Sequence, residues 1–164
     1  MPIANVLELC AGLPLLEVAA GATLIEEGVR TDRLYVLQKG AFDVVRGGVR
    51  VVAIREPGAF LGEISALLAT PPTASVIASQ ASTVHVLDEA SAAVLRDPQL
   101  THAIAQLLAR RLQAVTAYLV DLKRQYAGTD THLAVMDQVL ADLMALQPGR
   151  PTVVGSERDD VPDY

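Results

Sequence analysis

The sequence predicts a mainly β domain followed by C-terminal helices, with the β part an antiparallel sandwich or roll. Two observations carry this prediction. Between Leu15 and Asp88, short segments rich in Val, Leu and Ile recur between glycines at intervals of about 8 to 12 residues, as in antiparallel all-β folds. After Asp88 the pattern becomes helical, since residues 99–126 contain neither Gly nor Pro. The length of 164 residues, 51% of them hydrophobic, fits one domain with a proper core.

The β part, within residues 1–97, is expected to follow an N-terminal helix and to contain seven recognisable strands. Gly47 and Gly48 separate the fourth strand from the fifth, and two glycines readily adopt the positive φ angles of a tight hairpin. The predicted strands lie in the segments LLEV, TLIEE, RLYVLQ, AFDVV, VRVVAI, ASVIA and STVHVLD.

The helical part is predicted to contain a short helix over 89–96 and a long helix over 98–127. Asp97 and Pro98 supply an N-cap and a first-turn proline for the long helix. Its apolar residues form a heptad-like seam on one face. A helix of about 27 residues is near 40 Å long, which exceeds a small roll, so we expect this face to pair with a second copy. The alternative is packing on the roll of its own chain. The predicted dimer interface consists of Leu108, Leu112, Val115, Leu119 and Leu122.

A further helix is predicted over residues 130–146, and residues 147–164 are expected to be disordered. The helix would carry an apolar stripe of Leu133, Met136, Leu140 and Leu143 and would fold back on the dimer. The tail is rich in Pro, Gly and acidic residues and has no segment long enough to pack.

Composition argues against several classes of function. The net charge of −6 disfavours a nucleic-acid surface, and no apolar run is long enough to span a bilayer. Cys10 is the only cysteine, so no intrachain disulfide can form, and no His or carboxylate spacing suggests a metal. The N-terminus lacks the basic opening of a secretory signal, so a cytoplasmic location is expected. No catalytic motif is present, and we do not expect an enzyme.

The segment GEISALLATPPTASV, residues 62–76, has the order of a small-molecule cassette: Gly-Glu, a short apolar helix, prolines and small residues entering a strand. Glycines precede or separate the surrounding strands at 21, 28, 40 and 58. Together with FLGEISALL, PPTASV and the long helix containing ARRLQ, this pattern resembles the cyclic-nucleotide-binding domain. It is most similar to the sensor half of the bacterial cyclic-AMP receptor and related regulators. The resemblance covers about residues 13–126 and implies a jelly-roll-like β-roll.

The resemblance also implies ligand-binding residues. Gly62 would let the backbone approach the ligand, and Glu63 would accept a hydrogen bond from the ribose 2′-hydroxyl. An alternative for Glu63 is that it caps its own helix. Thr116, on the long helix, would present its hydroxyl to the base, although a surface or seam threonine is the alternative. The implied ligand-binding set is Gly62, Glu63, Ile64, Ser65, Thr73, Ala74, Ser75 and Thr116.

Pro72 occupies the position of the family's phosphate-binding arginine, and proline offers neither charge nor a backbone N–H. Removing the partner of a buried charge costs about 2–5 kcal/mol, whereas a helix N-terminus recovers about 0.3–1 kcal/mol. Three outcomes remain open. An arginine from elsewhere (Arg46, Arg50, Arg55 or one of a partner chain) enters the site, a less anionic effector binds, or the module has lost its ligand.

We therefore expect a stand-alone cyclic-nucleotide sensor, with cyclic AMP or another cyclic nucleotide as ligand and no other cofactor. It would be a homodimer that signals through an unknown protein partner. The segment THLAVMDQVLADLMAL contains no Lys or Arg and is one helix rather than a helix-turn-helix, so we do not expect DNA binding. The alternative is a ligand-independent dimerisation or scaffold module of the same fold.

Overall fold

Two four-stranded antiparallel sheets form the β part of the chain in a computed structural model that describes residues 3–126, together with Gln138 and Ala141. The predicted mainly β fold, followed by a long helix, is confirmed. The elements before the C-terminal helices are α1 Ile3–Leu9, β1 Leu15–Val18, β2 Thr23–Ile25, β3 Leu34–Lys39, β4 Phe42–Arg46, β5 Val49–Ile54, β6 Phe60–Leu61, α2 Glu63–Leu68, β7 Ser75–Ala78 and β8 Ser82–Leu87.

The strand order is β1-β8-β3-β6 in one sheet and β2-β7-β4-β5 in the other. The inner faces of both sheets contribute to one cluster of buried side chains, which we call the inter-sheet core. Phe42 and Leu37 in this cluster are fully inaccessible to solvent. The inter-sheet core consists of Val18, Ile25, Tyr35, Leu37, Phe42, Leu61, Val76, Ala78 and Val84.

Helices cover the other face of the β1-β8-β3-β6 sheet. Because side chains alternate along each strand, every second residue points towards these helices. On β3, Tyr35 and Leu37 join the inter-sheet core, whereas Leu34 and Val36 join this second cluster, which we call the helix-side core. The helix-side core consists of Val6, Cys10, Leu34, Val36, Phe60, Ala66, Ala90, Val94, Leu100, Ala103 and Ile104.

The Cys10 thiol lies in the helix-side core, where burial and, secondarily, the negative charge of Asp97 raise its pKa. A raised pKa makes the thiol a poor nucleophile, which agrees with a structural role. A cavity of about 70 Å³ borders Cys10, and no residue of the 62–76 segment lines it.

The β4–β5 hairpin turns at Gly47 and Gly48, whose φ angles are +54° and +78°. Positive φ at both positions is the geometry predicted from the Gly-Gly pair. One strand was not predicted from the sequence. It is β6, which contains only two residues and therefore has no detectable period.

The helical part comprises α3, Ala90–Arg96, and α4, Pro98–Gln125. Asp97 caps α4 as expected, since its Oδ1 accepts hydrogen bonds from the N–H groups of Gln99 at 2.9 Å and Leu100 at 3.2 Å. Among the described residues, those up to Arg110 form one compact unit, and those from Arg111 onward belong to a second.

The predicted helix over 130–146 and the predicted tail over 147–164 lie outside the described residues, apart from Gln138 and Ala141, which are helical. Within the described part of the chain, no helix has the length and apolar character needed to cross a membrane.

Candidate functional site

Gly62 and Glu63 begin the cassette at the end of β6. Gly62 has φ +89°, and a side chain there would approach the Arg33 carbonyl oxygen to 3.1 Å and Ile25 Cδ1 to 3.2 Å. Glycine is therefore required by the backbone angle and by neighbouring atoms of the same chain. Glu63 is the first residue of α2 and is only 4% exposed. The structure thus places a carboxyl group at the start of the cassette in a buried position.

Helix α2 is short and ends within the cassette. Ala69 adopts a left-handed conformation at its C-terminus, and the Ser65 hydroxyl donates a hydrogen bond to the Thr70 carbonyl. The hydroxyl of Ser65 therefore closes the end of the helix, a role that sequence reasoning did not assign to it. Ile64 is half-exposed, whereas Ala66 is buried in the helix-side core.

The exit of the cassette is held by the dipeptide Glu27–Gly28, which we call the brace. The Gly28 N–H donates to the Pro72 carbonyl at 2.8 Å, and the Glu27 N–H donates to Ser75 Oγ at 2.9 Å. The Glu27 carboxylate in turn accepts a hydrogen bond from the Gly47 N–H at 3.1 Å. The brace therefore connects the cassette exit to the tip of the β4–β5 hairpin.

Strand β7 continues the cassette and pairs with β4 in an unbroken register. Val44 lies opposite Val76 and Val45 lies opposite Ser75. Val76 belongs to the inter-sheet core, so its neighbour Ser75 faces the other side of the sheet. Of the predicted ligand-binding residues at the exit, Thr73 is exposed and Ala74 is half-buried, one residue before β7 begins.

The loop before β3 joins the cassette to α3. Asp32 Oδ1 accepts hydrogen bonds from the Ser91 N–H at 3.0 Å and from the Ser91 hydroxyl. The hydrogen bond from the Ser91 hydroxyl makes the largest contribution to lowering the pKa of Asp32, and the bond from the Ser91 N–H comes next. The positive charge of Arg30 lowers this pKa further. Arg33, whose carbonyl oxygen lies against Gly62, places its Nε 2.7 Å from Asp88 Oδ1. Neighbouring residues thus contact the start of the cassette and the start of α3.

The predicted residues of α4 fall into two environments. Leu108 is half-buried and packs against the helix-side core of its own chain. Leu112 and Val115 are each 50% exposed, whereas Leu119 and Leu122 are half-buried. The Thr116 hydroxyl donates to the Leu112 carbonyl at 2.8 Å, a bond within its own helix.

Sequence reasoning did not anticipate the roles of Glu27 and Asp32. Both are acidic residues in the connection between β2 and β3, and a loop carboxylate has no period that marks it as a structural acceptor. Within the described residues, no group of three or more His, Cys, Asp or Glu side chains is arranged to hold a metal ion.

Comparisons with known proteins agree with this architecture. The sequence profile described as the Cyclic nucleotide-binding domain matches residues 15–97. The chain is 34% identical over 136 residues to the Pycsar effector protein XpPycTIR of Xanthomonas perforans, covering 81% of this chain and 44% of that protein. The chain therefore spans less than half the length of that relative, and about a fifth of the length of the mycobacterial ATP-binding proteins that it also matches.

Two solved structures share the fold. The catabolite activator protein of Thermus thermophilus superposes with a TM-score of 0.59 at 22% identity, covering 92% of this chain and 88% of that one. The N-terminal domain of a transcriptional regulator from Streptomyces coelicolor gives a TM-score of 0.50 at 27% identity, covering 68% of this chain and 81% of that one.

Proposed function

Because the chain belongs to the cyclic nucleotide-binding domain family, we propose that it is a sensor whose cassette binds a cyclic nucleotide and whose helices pass the ligand state to a protein partner. The observation that carries this proposal is Glu63. Its carboxyl group is buried at the first residue of α2, directly after a glycine with positive φ, inside the segment that the family profile matches. An ionised carboxylate only accepts hydrogen bonds, so Glu63 is suited to accept one from a ribose hydroxyl.

Contacts of the cassette with the helices support transmission of the ligand state. Ala66, on the buried face of α2, shares the helix-side core with Val94 of α3 and Ile104 of α4. The loop at Asp32 and Arg33 contacts Gly62 on one side and the start of α3 on the other. A displacement of α2 by a ligand would therefore change the packing of α3 and of the first turns of α4.

We further propose that the protein is a homodimer through α4. Leu112 and Val115 expose large apolar surfaces on the predicted seam, and a second copy of the same helix would cover them. The similarity to a protein named as an effector supports a signalling role, in which the sensed ligand controls another protein or domain.

Isothermal titration calorimetry tests the sensor proposal. Cyclic AMP, cyclic GMP, cyclic CMP, cyclic UMP and cyclic di-GMP are titrated into the wild-type protein, and at least one should give a saturable signal at micromolar concentration. The role of Glu63 is tested with the 2′-deoxy analogue of the best ligand. Wild type should bind the analogue more weakly than the ribose form, whereas Glu63→Gln should distinguish the two much less, since a double-mutant cycle isolates that contact. Absence of binding with all five ligands would reject the sensor.

A second candidate function is a dimerisation module without a ligand. The observation that favours it is the filled inter-sheet core, where Phe42 and Leu37 are completely buried by side chains of the chain itself. Under this alternative, titration is silent while the protein remains a folded dimer, so light scattering on the same sample separates the two functions.

A further inference from the structure

The β4–β5 hairpin carries two arginines that face opposite sides of its sheet. Arg50 lies opposite Val45, and its Nε is 3.2 Å from Asp43 Oδ1. Asp43 follows Phe42, whose side chain is in the inter-sheet core, so Asp43 and its ion-paired Arg50 lie on the outer face. By the same alternation, Arg46 belongs to the inner face of β4, with Phe42 and Val44.

The register of β4 against β7 brings Arg46 to the cassette exit. The pairing runs without a shift from Phe42 opposite Ala78 to Val45 opposite Ser75. Arg46 is the last residue of β4, one residue beyond this ladder, and Ala74 is the residue directly before β7. Both residues therefore lie at the same end of the β4–β7 pair, and Pro72 is two residues before Ala74 in the chain. Arg46 is exposed, and its side chain is long enough to extend from the end of β4 towards the cassette exit.

The brace fixes this arrangement independently of the sheet register. Glu27 accepts a hydrogen bond from the N–H of Gly47, the residue after Arg46, and donates its own N–H to Ser75. The adjacent Gly28 donates to the Pro72 carbonyl. Two consecutive residues, Glu27 and Gly28, are thus hydrogen-bonded to the backbone next to Arg46 and to the backbone at Pro72, and they keep these two segments close to each other.

The chemistry of the site requires a cation that the cassette does not supply. The sequence contains no Lys or Arg between Arg55 and Arg96. Arg55 follows Ile54, which pairs with Phe42 at the end of the β4–β5 ladder remote from the Gly47–Gly48 turn. An arginine guanidinium offers a planar set of donors that matches two phosphate oxygens at once.

From this juxtaposition we infer that Arg46 binds the phosphate of the ligand in place of the arginine missing at position 72. Under this inference, the positive charge that binds the phosphate comes from strand β4 instead of from the cassette. The inference rests on the proposed function, because it concerns the same ligand and the same site.

The experiment compares Arg46→Gln with the matched control Arg50→Gln, which removes the same charge from the outer face of the same hairpin. Each variant is titrated with the wild type's best ligand among the four 3′,5′-cyclic mononucleotides, and with the corresponding uncharged ribonucleoside. Arg46→Gln should weaken binding of the cyclic nucleotide by roughly 30- to several-thousand-fold. Binding of the nucleoside should change far less, and Arg50→Gln should bind both ligands as wild type does. Thermal unfolding without ligand checks that each variant is folded.

A charge-relocation variant makes the test independent of simple loss of function. Arg46→Gln combined with Pro72→Arg should regain much of the lost affinity for the cyclic nucleotide, whereas Arg46→Gln combined with Pro71→Arg should not. Unchanged affinity of Arg46→Gln for a cyclic nucleotide that wild type binds would overturn the role of Arg46 and leave the sensor function standing. Failure of wild type to bind any of the cyclic nucleotides would reject both.

Discussion

Helix α4 carries one apolar pattern along its length but has two environments. In its first turns, Leu100, Ala103 and Ile104 are buried in the helix-side core, and Ile104 is completely inaccessible. Further along the same pattern, Leu112 and Val115 are each 50% exposed, whereas Leu119 and Leu122 are half-buried. Periodicity therefore identifies the apolar face of a helix but does not identify what covers it. The first turns hold α4 to its own roll, and the later turns are the part available to a second copy.

The largest expected effect comes from placing charges on the seam from Leu112 onward. Leu112→Lys combined with Leu119→Lys should convert the proposed dimer into monomers, because four lysines would be buried without partners in a symmetric interface. Multi-angle light scattering should give the chain mass of 17.4 kDa. The control is Ala114→Lys with Ala117→Lys, which adds the same charge on the opposite side of the helix and should leave the mass unchanged. A wild-type protein that is already monomeric would contradict the proposed seam.

The next effect concerns the buried turns. Ile104→Ala should lower the free energy of unfolding by about 2–5 kcal/mol, because it leaves a cavity in the helix-side core. Urea denaturation should show this loss equally at low and high protein concentration. Leu112→Ala should behave differently, with a loss that depends on protein concentration, as expected for a residue that acts through association. Equal concentration dependence of both variants would remove the distinction between the two parts of α4.

A smaller, pH-dependent effect on stability is expected at the loop before β3. This loop is hydrogen-bonded to α3, which packs against the buried start of α4. Hydrogen bonds from Ser91 lower the pKa of Asp32 in the folded protein. A depressed folded-state pKa gives stability that is present above the unfolded value of about 3.9 and is lost as pH falls through the folded value. Asp32→Asn should therefore be less stable than wild type at pH 7, and the difference should narrow as pH falls towards 3. Thermal melts across this range measure the difference.

Ser91→Ala is the matched partner for that test, since it removes the hydroxyl donor and keeps the backbone donor. Its pH dependence should fall between those of wild type and Asp32→Asn. A Ser91→Ala profile identical to wild type would mean that the hydroxyl does not contribute.

The smallest effect is expected at Thr116, in the exposed part of α4. Its hydroxyl is bonded to the Leu112 carbonyl, so Thr116→Ala removes only a local bond and replaces a poor helix former by a good one. Stability should change by no more than about 0.5 kcal/mol, and ligand affinity should stay within about twofold. A tenfold loss of affinity that Thr116→Ser restores would instead identify the hydroxyl as a ligand contact.

Much of the fold followed from local signals in the sequence. The Gly47–Gly48 turn and the cap at Asp97 with Pro98 depend on residues adjacent in the chain, and both have the predicted geometry. The assignment of Leu108 to the seam depends on what covers it, and the part of this residue that is buried contacts the core of its own chain. The apolar face of a helix follows from the spacing of nearby residues, whereas the surface that packs against it depends on the tertiary structure.

The candidate site divides in the same way. The order of Gly62, Glu63 and a short helix could be predicted from the sequence, because the family resemblance and the helix boundaries both depend on residues adjacent in the chain. The sequence did not predict that Arg46 and Arg50 lie on opposite faces of the sheet. Both arginines lie in the same hairpin, and the burial of Phe42 together with the register of β4 against β5 determines which one faces inward.

That ladder has a consequence for recognising related sensors. A scan of the 62–76 segment alone would discard this chain as unable to hold an anion, since the segment lacks any basic side chain. Because strand pairing brings distant parts of the sequence together, a charge that a site needs can come from a residue far away in the sequence and still lie at that site. Searches for functional relatives should therefore examine the strand paired with the loop as well as the loop.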